Sequence, residues 1–159
     1  MRRLSFIITA FFFMCISLQA HAADKAKVYA LSPERISEYI DRTEGQKRVL
    51  FIYTSWCVYC REKMPAIFDL EHSKKGSIIA VSVDENYNQY AQYAKTLTDA
   101  PFPLMYSKGR ESALKTQLAK RNIKPWRGYP TFIFLDEHGN AVSQGSYRVE
   151  DIANYVLSE

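Results

Sequence analysis

Val49-Leu50-Phe51-Ile52-Tyr53-Thr54-Ser55-Trp56-Cys57-Val58-Tyr59-Cys60 is the stretch that decides how this chain is read. Its first five residues form a continuous apolar, β-rich run, which suits a strand buried on both faces. Thr54-Ser55-Trp56 interrupts the run, and a helix opens at the cysteines. That helix continues through Met64, Ile67, Phe68 and Leu70, with a kink expected at Pro65. The two sulfurs therefore stand where a strand hands over to a helix. A helix N-terminus carries unpaired N–H groups and partial positive charge, which favours a thiolate over a thiol. Cys57 is accordingly expected to be the exposed, attacking sulfur with a lowered pKa. Cys60, one turn in, is expected to be more buried and to act as the resolving sulfur in disulfide exchange. Arg61 and Lys63 follow, but basic residues on a helix surface are usually just solvated.

Two other uses of a C-x-x-C pair compete with redox chemistry. A structural staple normally joins distant segments, whereas this pair closes a very short loop and restrains little chain entropy. A zinc site needs about four ligands. Only three His occur (His21, His72 and His138), and the latter two have the surroundings of surface or turn positions. The pattern thus favours a reactive pair. Two sulfurs suffice for that chemistry, so neither a metal nor an organic cofactor is expected.

The N-terminus reads as a targeting segment. Arg2 and Arg3 precede an apolar run from Leu4 to Leu18, and Gln19-Ala20-His21-Ala22 supplies small residues at A-x-A spacing. This is the pattern of a secretory signal spanning residues 1–22, cut after Ala22, with residues 23–159 as the mature domain. The run is short of the roughly 20 residues that span a bilayer, which makes an uncleaved anchor the weaker alternative. Cys15 follows Met14 rather than the small residue of a lipoprotein signal. Export, to the periplasm or beyond, puts Cys57 and Cys60 where disulfides persist. Removing residues 1–22 leaves nineteen basic against seventeen acidic residues, a charge of +2. That is too weak to argue for nucleic acid.

Working outward, Ser32-Pro33-Glu34 opens a helix with an N-cap, a first-turn proline and an acid, followed by an apolar stripe at Ile36, Tyr39 and Ile40. Gly45 is a candidate stop. Ser77 to Val83 reads as a second buried strand, 87–97 as a Tyr-rich helix, Phe102 to Tyr106 as a short strand, and 111–120 as a helix with Leu114 and Leu118 on one face. Thr131 to Leu135 is a third buried strand. After the turn at 136–140, residues 141–146 return antiparallel. A last helix covers Arg148 to Leu157. Strands alternating with helices predict an α/β domain: a central, mostly parallel sheet with an antiparallel terminal hairpin and helices on both faces.

Ser55-Trp56-Cys57-Val58-Tyr59-Cys60, with Pro65 five residues after the second Cys, resembles the active site of the thioredoxin superfamily. Gly128-Tyr129-Pro130-Thr131 before an apolar strand resembles that superfamily's cis-proline loop. Val83-Asp84-Glu85-Asn86, followed by a helix and a short strand, resembles the insertion of the TlpA/ResA-like periplasmic branch. The match covers nearly all of residues 32–158. It implies a thioredoxin fold, with Tyr129–Pro130 cis beside Cys57 and open to strand-like pairing with an extended substrate. Trp56, Tyr59, Trp126 and Tyr129 would then ring the cysteines as an apolar platform for protein substrates. The stretch Ile123–Arg127 is longer than the usual lead into the loop and reads as either a substrate-contact loop or a packed connector with a core Trp.

The pattern also departs from the family. Phe51 and Ala80 stand where thioredoxin has a buried Asp and a Lys. Lys63 stands where the branch often has Glu, with Glu62 one position off as a weak proton-transfer candidate. Tyr59 before the second Cys resembles bacterial disulfide isomerases, and Tyr129 before the proline is closer to eukaryotic protein disulfide isomerase domains. The resemblance therefore implies an exported thiol–disulfide oxidoreductase, leaning towards a reductase that acts on protein thiols and disulfides and exchanges electrons with a membrane redox partner. An oxidase or isomerase is the alternative within the class. The short chain has no obvious dimerisation domain, so a monomer is expected. A binding module with an incidental cysteine pair is the alternative from another class.

Overall fold

The computed structural model describes residues 27–158. The signal segment and the cut after Ala22 lie outside the described residues. Six strands and five helices are described: β1 (Val28–Leu31), α1 (Pro33–Arg42), β2 (Arg48–Tyr53), α2 (Val58–Ser73), β3 (Ile78–Ser82), α3 (Tyr87–Ala94), β4 (Leu104–Ser107), α4 (Glu111–Ala119), β5 (Thr131–Leu135), β6 (Ala141–Gly145) and α5 (Val149–Leu157). The strands form one sheet in the order β1-β4-β3-β2-β5-β6. Pairings β1–β4, β4–β3 and β3–β2 are parallel, and β2–β5 and β5–β6 are antiparallel. The antiparallel part therefore begins at the centre of the sheet, one pairing earlier than a terminal hairpin alone requires.

Side-chain alternation on the central strands sorts the core into two layers. Val49, Phe51 and Tyr53 of β2 face α2, α3 and α5, and meet Met64, Ile67, Tyr90, Ile152 and Val156. Leu50 and Ile52 face α1 and α4, and meet Ile36, Ile40, Leu114 and Leu118. Every residue of β2, β3 and β5 is buried, the apolar runs together with the polar end residues Arg48, Ser82 and Thr131. α2 places Cys60, Met64, Ile67 and Leu70 on its buried side at helical spacing, with Pro65 inside the helix.

The local signals act as the sequence suggests. Ser32 caps α1, its hydroxyl accepting from the Arg35 N–H at 3.4 Å. Asn86 caps α3 by accepting from the N–H groups of Asn88 and Gln89 at 2.9 and 3.2 Å. Gly45 takes φ +109° two residues after Thr43, the C-cap of α1, a conformation that favours glycine. α3 ends at Ala94 rather than at 97, and β4 starts at Leu104 rather than at 102.

Candidate active site

β2 ends at Tyr53, and the chain turns through Thr54–Trp56 into α2. The turn is closed by the Cys57 N–H donating to the Thr54 carbonyl at 3.2 Å. Cys57 is the N-cap of α2, and its sulfur accepts the Cys60 N–H at 3.2 Å. This is the capping geometry of a serine or aspartate with sulfur as the acceptor, so Cys57 sits at the positive end of the helix with the Cys60 N–H directed at its sulfur. Cys57 and Cys60 form a disulfide, with their Cα atoms 5.2 Å apart. Cys57 is 6% exposed and Cys60 fully buried. The expected asymmetry is present, but Cys57 is mostly covered rather than open, because both sulfurs belong to the α2-side core.

The sequence-predicted aromatics divide. Trp56 and Tyr59 project from the site, 57% and 68% exposed, with Val58 exposed between Cys57 and Tyr59. Tyr129 is half-buried at the end of the sheet, packing against both core layers. Its ring meets Trp56 edge-on at 5.8 Å. The Tyr129–Pro130 bond is cis. Trp126 stands apart from the expected ring of open aromatics. It is 4% exposed in the α1/α4-side core, where its indole N–H donates to Glu111 and Lys115 lies 5.0 Å from its ring. Ile123 is buried beside it, so the stretch before the loop packs as a connector, with only Lys124, Pro125 and Arg127 outside. A cavity of about 320 Å³ runs along residues 126–131 and 144–146, so the Pro130 loop borders open space.

Beneath the cysteines, Phe51 and Ala80 pair in register across β2 and β3, both fully buried. Phe51 stacks on Tyr53 and Phe132, which leaves that position apolar. Glu62 is exposed on α2. The buried carboxylate at this end of the sheet belongs to Asp84, 2% exposed, which sequence reasoning did not single out as a site residue. It accepts from the Ser55 N–H at 2.8 Å and from the Ser55 and Ser82 hydroxyls, each at 2.6 Å. Asp84 thereby fixes the residue two before Cys57. Glu111 is the other residue that went unnoticed, and it binds Tyr129 from α4. Among the described residues no group of three or more His, Cys, Asp or Glu is arranged to hold a metal.

Residues 35–155 match the Redoxin family model. The thioredoxin-like protein YneN of Bacillus subtilis (strain 168) is 32% identical over 114 residues, 69% of this chain. The aligned part spans 60% of the length of that relative. A thioredoxin-family thiol:disulfide interchange protein from Chlorobium tepidum TLS has a similar solved structure, with a TM-score of 0.59 at 21% identity over 72% of this chain and 80% of that one. The pneumococcal exposed lipoprotein thioredoxin Etrx1, from Streptococcus pneumoniae strain TIGR4, also gives 0.59, at 18% identity over 74% and 87%. These two share the thioredoxin fold described above. On the family match and the relative together, the chain belongs to the Redoxin family.

Proposed function

We propose that the protein is an exported thiol–disulfide oxidoreductase that exchanges the Cys57–Cys60 pair with protein substrates, working mainly as a reductase. The observation that carries this is Cys57 itself: an N-cap sulfur that accepts a helix N–H, bonded to Cys60 and bordered by exposed apolar side chains. In the reduced form, the Cys57 thiolate attacks one sulfur of a substrate disulfide. That bond breaks, the leaving thiolate takes a proton from water, and a mixed disulfide joins Cys57 to the substrate. The Cys60 thiolate then attacks Cys57, releasing the second substrate thiol and leaving Cys57–Cys60 oxidised. The substrate takes two electrons from the pair, and its two new thiols draw their protons from solvent, which also receives the proton that Cys60 gives up.

The aromatic pair Trp56 and Tyr129, with exposed Val58 and Tyr59, supports a protein rather than a small-molecule partner. Such rings offer apolar area with little entropy to lose. Regeneration requires an external dithiol, assigned here to a membrane redox partner. Export is supported by the basic and apolar N-terminal pattern with its A-x-A site, and by the surface-exposed character of Etrx1. Purified protein is expected to catalyse reduction of insulin by dithiothreitol, and Cys57→Ala to abolish it. A wild type without activity would reject the enzyme reading and favour a binding module.

A further inference from the structure

Glu111 opens α4 on the opposite face of the sheet from α2, yet its carboxylate reaches the loop that carries Pro130. One oxygen, Oε1, receives the Tyr129 phenol O–H at 2.7 Å and the Trp126 indole N–H. The Lys115 ammonium, one turn along α4, lies 3.3 Å from the same oxygen. Hydrogen bonds to an ionised acceptor are stronger than neutral ones, so this oxygen is a firm anchor. Burial raises the Tyr129 pKa, and the Glu111 bond and charge raise it further, so the phenol remains an O–H donor. The Tyr129 ring also meets Trp56, the exposed residue immediately before Cys57. An unbroken line of contacts therefore runs from α4 through Tyr129 to the apolar surface at the cysteines. Glu111 itself makes no contact with either sulfur among those described.

We propose that Glu111 is a positioning residue for recognition of protein substrates: it holds Tyr129 in place against Trp56, so that the two rings meet an incoming polypeptide as one preformed surface. This rests on the exchange reading of the site. A preformed surface lowers the ordering cost of binding, so losing it weakens substrate capture more than it slows sulfur chemistry. The simpler role for Glu111 is an acid at the positive end of α4, which predicts a change in stability with no discrimination between substrates.

The test compares insulin with oxidised glutathione as disulfide substrates for the whole protein. Glu111→Ala is expected to raise KM for insulin about five- to tenfold, the equivalent of about 1 to 1.4 kcal/mol, while kcat changes less than about twofold. The rate with glutathione and the equilibrium potential of the cysteine pair should move far less. Glu111→Gln should stay near wild type, because its single carbonyl oxygen can accept both bonds. Tyr129→Phe should reproduce the Glu111→Ala KM, and the double variant should add little to either. Equal losses on both substrates, Glu111→Gln as impaired as Glu111→Ala, or an unchanged insulin KM would each overturn the proposal. If Glu111→Ala fails to fold, Tyr129→Phe decides: an unaltered insulin KM rejects it. A wild type inert towards both disulfides would instead remove the exchange reading on which it rests.

Discussion

Three donors converge on Asp84, and all of them are buried: the Ser55 N–H, the Ser55 hydroxyl and the Ser82 hydroxyl. Removing the carboxylate takes away the one acceptor that all three share. A buried donor left unpaired costs about 1–3 kcal/mol. Asp84→Ala is therefore expected to lower the unfolding free energy by about 2–4 kcal/mol in urea titrations, allowing for partial relaxation. Asp84→Asn should lose less, since one oxygen remains to accept. A loss under about 0.5 kcal/mol for Asp84→Ala would mean that the three donors find other partners. The sequence made the cysteines legible because their chemistry is local: two residues of spacing and a helix start. Asp84 was not legible as a brace. Its partner Ser55 lies 29 residues away, and the two meet only because β2 and β3 pair in parallel with Tyr53 opposite Ser82. Glu111 is a similar case, 18 residues from Tyr129 and on a different element. Trp126 shows the converse error. A tryptophan near a reactive site invites a binding role, but its ring is buried and its indole N–H has a partner, the half-buried Glu111, that only the fold supplies.

At the scale of the element, α2 is held at both ends. Its start is capped by Cys57, and near its end Glu71 turns back to the chain that enters β3. The Glu71 carboxylate accepts from the Gly76 N–H at 2.6 Å, the Ile78 N–H at 2.9 Å and the Ser77 hydroxyl at 3.3 Å. It therefore sets where β3 begins, and so the register of β3 beside β2. Burial raises its pKa above the ordinary value of 4.5, against the lowering effect of those bonds. The sign of the linkage follows from which state holds the proton longer. Below about 4.5 the group is neutral in both states. As pH rises from there through the raised native value, the unfolded chain ionises first and the native state gives up stability. The unfolding free energy of the wild type minus that of Glu71→Gln, followed from about pH 4 to about pH 7, should therefore decline. A difference that grows with pH would mean that the three bonds outweigh burial. Most elements were readable because their apolar runs match one period throughout, as in Thr131–Leu135. β1 was not recognised. It is four residues long and only partly buried, and it pairs solely with β4 at the edge of the sheet, so Val28-Tyr29-Ala30-Leu31 carries no run that separates it from a loop.

For the whole molecule, the α/β alternation was enough to predict a layered sheet with helices on both faces, but not the direction of β5. A buried apolar strand reads the same in either direction, and only the connection after α4, through Trp126 and the Pro130 loop, brings β5 in antiparallel to β2. That reversal carries Tyr129 to the end of the sheet where Trp56 stands, so the site belongs to the topology and not to any one segment. The direction of electron flow belongs to this scale as well. Reducing Cys57–Cys60 changes the stability of the entire fold, and by thermodynamic closure that change equals the difference in disulfide stability between the folded and unfolded chain. For a two-electron couple, about 1.4 kcal/mol corresponds to about 30 mV. A reductase needs a fold that favours its own disulfide, so the oxidised protein should unfold at higher denaturant concentration than the reduced protein, with equal slopes. A strong oxidant shows the opposite order, because its fold favours the reduced pair. Parallel urea titrations of the two forms separate the cases, with redox state fixed by ferricyanide or dithiothreitol. An oxidised form more stable by at least about 1.4 kcal/mol is the result expected of a reductase. A more stable reduced form would transfer the assignment to disulfide formation while leaving the site and its residues as described.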